Sequence, residues 1–81
     1  MLVRGIGMSY KVSWGVMSAA NVGHVEGFDG FLEKLKYDDG RWAFMVSTPE
    51  RTYRHVSESY QTKKEMEQAA IRYLINKGEV A

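Results

Sequence analysis

Apolar and polar residues alternate along Tyr10–Met17, with Tyr10, Val12, Trp14 and Val16 on one side and Lys11, Ser13, Gly15 and Met17 on the other. A period of two with β-branched and aromatic residues predicts a strand. The pattern breaks from Ser18 to Gly30, where Gly23, Gly27 and Gly30 punctuate the chain and Asn21 and Asp29 favour turns. That segment suits one helical turn over Met17–Asn21 or a short strand over Val22–Phe28. Alternation returns in Phe31–Tyr37 and Arg41–Thr48, which flank Asp38-Asp39-Gly40. Asp-Gly between such segments predicts a hairpin, because its tight turn needs the positive φ that glycine accepts.

With Asp39-Gly40 as a two-residue loop, Tyr37 opposes Trp42, Leu35 opposes Phe44 and Glu33 opposes Val46, all on one face. Lys34, Lys36, Arg41, Ala43 and Met45 then take the other face. A slip of one residue would carry the lysines onto the aromatic face. Thr48-Pro49-Glu50-Arg51 predicts a turn with proline in its second position, and Thr52–Ser57 a third strand. Symmetric pairing sets Val46 against Tyr53, Phe44 against His55, Met45 against Arg54 and Ala43 against Val56, so Arg54 joins the basic face.

The pattern lengthens to a helical period in Thr62–Lys77. Met66, Ala70, Tyr73 and Leu74 form an apolar stripe, which Ile71 and Ile75 widen. Thr62 and Glu65 have the spacing of a reciprocal capping box. Gly78 supplies a left-handed C-terminal cap, with Lys77 in the last turn. The expected fold is α+β: an antiparallel sheet of three to four strands with one C-terminal helix packed on its aromatic face.

At 81 residues the chain is long enough for one domain with a small core. Residues 9–81 are assigned to that domain, and 1–8 to a loose leader too poor in apolar residues to be a signal peptide. No apolar run approaches the length of a membrane helix. The absence of cysteine rules out disulfides and thiolate metal sites, and a cytoplasmic setting is expected.

The net charge is only +1, but its distribution is uneven. Between Arg51 and Lys77 six basic residues stand against three acidic ones, whereas Met1–Glu50 holds five against six. His24 and His55 share no metal-ligand spacing. Asp29, Asp38 and Asp39 are turn residues, and no nucleophile elbow, phosphate loop or carboxylate pair is present. A non-catalytic protein without metal or cofactor is expected.

Arg41–Leu74 resembles the three-stranded DNA-binding domains of the plant ethylene-response-factor type and the arm-type domain of phage integrases. The likeness rests on Gly40-Arg41-Trp42 at the start of a strand and on Thr62-Lys63-Lys64-Glu65 at the start of the helix. It implies a sheet that enters the major groove, with Lys34, Lys36, Arg41 and Arg54 as contacts. Phe31-Leu32-Glu33-Lys34-Leu35-Lys36 departs from the arginine-rich first strand of those families. Thr62–Ala70 also resembles the last helix of a double-stranded-RNA-binding domain, which implies phosphate contacts by Lys63 and Lys64.

Two functions are therefore expected. One is nucleic-acid binding through a basic sheet face, with duplex DNA ahead of RNA, using Lys34, Lys36, Arg41, Arg54, Lys63 and Lys64. The same lysines equally suit the solvated face and guarded edge of an ordinary sheet. The other is a protein-interaction module, an inhibitor, adaptor or homodimer, that docks through an edge strand or the helix flank with Trp14, Ile71 and Ile75.

Overall fold

The computed structural model describes residues 10–48 and 54–80. Five strands form one antiparallel sheet in sequence order: β1 (Val12–Trp14), β2 (Val22–Val25), β3 (Phe31–Lys36), β4 (Trp42–Ser47) and β5 (Arg54–Val56). One helix, α1 (Lys63–Asn76), follows. The α+β arrangement is as expected, with more strands than the three to four predicted. Tyr10–Met17 and the Gly-rich segment both enter the sheet, as β1 and β2. The leader, the Pro49 turn and Tyr53 lie outside the described residues.

The β3–β4 register corrects the predicted one. Lys36 opposes Trp42, Lys34 opposes Phe44 and Leu32 opposes Val46. The loop has three residues: Tyr37 N–H donates to Arg41 O, and Gly40 N–H donates back to Tyr37 O, both at 2.9 Å. Gly40 then takes a left-handed φ of +89°. A turn followed by a left-handed glycine bulge suits Asp-Asp-Gly as well as the two-residue turn does. Asp39 Oδ1 favours it further by accepting the Arg41 N–H at 3.0 Å. This one-residue difference exchanges the faces of β3. Lys34 and Lys36 lie on the helix side, Leu35 and Glu33 on the open side, and Tyr37 is exposed rather than core.

The β4–β5 register moves by two residues, which preserves the faces. Val46 meets His55, Met45 meets Val56, and Ser47 meets Arg54. The pairing is anchored beyond β5. Ser57 N–H donates to Phe44 O at 2.9 Å, while Ser57 Oγ accepts the Phe44 N–H at 3.0 Å in place of a strand carbonyl. Tyr60 then bridges Trp42 in both directions.

The core lies between sheet and helix. Val25, Leu32, Phe44 and Val46 from the sheet meet Met66, Ala69, Ala70 and Leu74 from α1, and Phe28 and Val80 close its ends. Both helix caps are formed as predicted. Glu65 N–H donates to Thr62 Oγ1 at 3.1 Å and Thr62 N–H to Glu65 Oε1 at 3.3 Å. At the other end Gly78, at φ +74°, lets Glu79 N–H reach Leu74 O at 2.9 Å and Gly78 N–H reach Ile75 O at 3.0 Å. That pair of bonds is a Schellman cap, and it turns Val80 into the core. Replacing Thr62 by alanine should cost about 1 kcal/mol, read as a lower midpoint in a urea titration with unchanged slope.

The β1–β2 connection carries one strained residue. A single 3-10 turn, Met17–Ala19, caps it, and Met17 has φ +54°. For a non-glycine residue this costs of order 1–3 kcal/mol.

Candidate nucleic-acid interface

The register of β3 brings cations and indole rings together where the helix begins. Trp14 stands opposite Gly23 on the helix side of the sheet. A Cβ at position 23 would meet the indole Cε3 and Cζ3 at 2.7 Å, so the glycine lets the ring lie flat over β2. The indole N–H donates to Glu67 Oε2 of α1 at 2.6 Å. That bond ties the edge strand to the helix and fixes the ring.

Two ammonium groups share this ring. Lys34 Nζ lies 4.8 Å from its centroid and Lys63 Nζ 5.8 Å. One comes from the third strand and the other from the first residue of the helix. Lys36 repeats the contact beside them, with Nζ 4.9 Å from the centroid of Trp42. Lysine stems can line an apolar face if their heads reach its rim, and a ring face then attracts the charge. This is how β3 places Leu32, Lys34 and Lys36 on one side without burying an ammonium.

The pairing has an electrostatic cost. Lys34 has a pKa below the usual lysine value of 10.5, first because of partial desolvation and then because the Lys63 ammonium is close. Glu67 acts in the opposite direction but does not cancel them. Lys63 and Lys64 also sit in the first turn of α1, where cations oppose the helix dipole. Positive charge is thus concentrated here beyond what the neighbouring carboxylates neutralise.

No family model, curated protein or solved structure matches this chain. What the cluster can do follows from its own side chains. Converging ammonium groups at a positive helix end attract anions.

The residues expected at the interface are only partly gathered. Lys34, Lys36 and Lys63 converge on the two indoles, and Lys64 is exposed on the same helical turn. Arg41 is held elsewhere: Nε donates to Ser59 Oγ at 2.7 Å and Nη2 to Ser59 O at 3.3 Å. It lines a shallow groove of about 360 Å³ with Gln61, Glu65, Gln68 and Arg72. Arg54 belongs to β5, at the opposite edge of the sheet from β1. A single basic sheet face is therefore not formed. The open face carries Val22, Phe31, Leu35, Met45 and Val56 around Glu33 and His24.

The docking residues expected of an interaction module are also dispersed. Trp14 is engaged by Glu67, Ile75 packs against the core and Ile71 is half-buried. His55 stacks on Tyr73 with centroids 4.2 Å apart and planes 10° from parallel, a packing role. The residues that sequence reasoning did not assign to a site are Gly23, read only as a break in the pattern, and Glu67. Glu67 lies one helical turn from Lys63, four positions on.

Proposed function

We infer that this chain is a small, non-catalytic nucleic-acid-binding module that grips backbone phosphates with the cluster at the start of α1. The observation that carries this reading is the pair Lys34 and Lys63, two ammonium groups drawn together over the Trp14 ring with one adjacent carboxylate. A phosphate between them would replace repulsion by two charge-assisted hydrogen bonds. Lys36 and Lys64 would extend the contact along the strand and the helix. The indoles are covered by lysines, so their part is to position cations. Contacts of this kind hold register and orientation on a duplex without reading sequence, and duplex DNA is the first ligand to test. A cytoplasmic setting belongs to the same proposal. Among the described residues no helix is long and apolar enough to cross a membrane.

The test is fluorescence anisotropy with labelled duplex DNA, duplex RNA and single strands at low and near-physiological salt. Binding that weakens steeply as salt rises is expected, because each neutralised phosphate releases counterions. No binding to any of the three at low salt would remove this reading.

The bare sheet face favours a second reading, a homodimer. Val56 is 53% exposed on that face, beside the half-buried Phe31, Leu35 and Met45. Salt-insensitive self-association in sedimentation velocity, abolished by Met45→Glu, is its expected signature. A monomer at high concentration would exclude it and leave the phosphate cluster untouched.

A further inference from the structure

The β1–β2 loop holds two apolar side chains out in water. Gly15 N–H donates to Val22 O at 2.9 Å and closes its base. Ala19 N–H donates to Val16 O at 3.0 Å and Ala20 N–H to Met17 O at 3.1 Å, which winds the tip into one tight turn. The fold-back is so close that a Cβ at position 15 would collide with the Ala19 carbonyl oxygen. The outcome is a fixed tip with Val16 74% and Met17 90% exposed, and Met17 in the left-handed region. A slack loop would relax that backbone and fold the methionine inward. Strain combined with a projecting apolar residue points to a contact surface.

The tip rises beside the cationic cluster. Its first residue, Gly15, follows Trp14, and Asn21 at its end accepts the Lys34 N–H at 2.9 Å. Lys34 therefore sits at the root of the loop, with Lys63 across the indole. We propose that Val16 and Met17 form a wedge that enters a base step of a nucleic-acid duplex while Lys34 and Lys63 hold the adjoining phosphate between them. This rests on the phosphate-binding reading above. Unstacking a step needs one apolar side chain pressed into it and cations to hold the flanking backbone. An unbranched thioether adapts to the irregular gap between tilted base pairs. A lipid surface is the other occupant such a tip could meet. Two side chains offer little of the apolar area that interfacial anchoring requires, so the duplex is favoured.

The experiment uses a duplex with 2-aminopurine at a central pyrimidine–purine step and a dye at each end. The full chain should bind it, raise the 2-aminopurine fluorescence and shorten the end-to-end distance. Met17→Gly, which suits the left-handed backbone, should melt no lower than the parent. It should keep its affinity within about tenfold, since burial of one side chain is offset by the unstacking it causes, and lose both distortion signals. Lys34→Gln with Lys63→Gln should weaken binding itself by roughly a hundredfold or more. Binding by the parent with no fluorescence rise and no bend would overturn the wedge and leave the phosphate reading standing. So would a Met17→Gly variant that distorts the duplex as the parent does. No binding by the parent would remove both. Capture by phosphatidylserine vesicles that Met17→Gly abolishes, without duplex binding, would assign the tip to lipid and overturn the wedge.

Discussion

Exchange of Lys34 and Lys63 together for glutamine is expected to weaken duplex binding by roughly a hundredfold or more near 0.1 M salt, since a hydrogen bond to a charged group contributes about 1.5–3 kcal/mol. The slope of log affinity against log salt should fall by about one, for the counterion that the one phosphate between the two ammonium groups releases. Neither change follows from general loss of charge. Lys11→Gln, on an exposed residue just before β1, is the control and should leave affinity nearly unchanged. The pair should act as a unit, because each lysine contacts the same ring and the Lys63 ammonium depresses the Lys34 pKa. Single substitutions are then expected to be non-additive.

The same pair predicts a pH dependence. A bound phosphate favours the ammonium form of Lys34, so its pKa is higher in the complex than in the free protein. Affinity is full below the free-protein value and falls as pH rises towards the value in the complex. Since the free value is below 10.5, the fall should begin at a lower pH than for an ordinary lysine, and Lys34→Gln should flatten it. Stability responds in the opposite direction. Folding lowers this pKa, so the unfolded chain holds the proton longer. The unfolding free energy should therefore rise with pH through the interval just below 10.5. Anisotropy and urea titrations across the alkaline range check both signs.

The parts of this molecule that were legible are those whose causes are local. The Thr62–Glu65 box and the Gly78 cap each involve residues a few positions apart, and both form as their spacing predicts. The alternation in Phe31–Tyr37 identified a strand but not which of its two sides would face the helix. That choice turned on one loop residue. Asp38-Asp39-Gly40 satisfies a two-residue and a three-residue turn, and the carboxylate of Asp39 on the Arg41 N–H favours the longer. Hydrophobic patterning opposed the outcome, because it treats lysine as a charge alone. A long stem ending over an indole can occupy an apolar face, as Lys34 and Lys36 do. The rest of the site had no local signal. Trp14 and Glu67 are 53 positions apart, and Gly23 looked like a strand breaker until the ring lying over it was known.

The second large effect concerns the fold that holds the cluster in place. Phe44→Ala is expected to destabilise the protein by about 3–5 kcal/mol, the range for deleting a fully buried aromatic ring. At roughly 0.05–0.15 kcal/mol per residue, 81 residues sustain about 4–12 kcal/mol in total. The variant should therefore be marginal or unfolded at room temperature, read as an early urea midpoint or loss of the cooperative transition. Phe44 is 2% exposed, and its ring contacts those of His55 and Tyr73 at 6.1 and 6.0 Å. Removing it would leave a void between β4 and α1 that a small core cannot close. Its backbone is bound to Ser57 on both sides, which prevents β4 from shifting to fill the space. Lys34 lies directly opposite Phe44 in the ladder, and Lys63 rides on the helix that the ring supports. Loosening that contact separates the two ammonium groups, so affinity should fall with stability. Phe44→Leu, which keeps most of the apolar volume, should restore much of both. A Phe44→Ala chain with the parent's midpoint would mean that the rest of the core holds the helix without this ring.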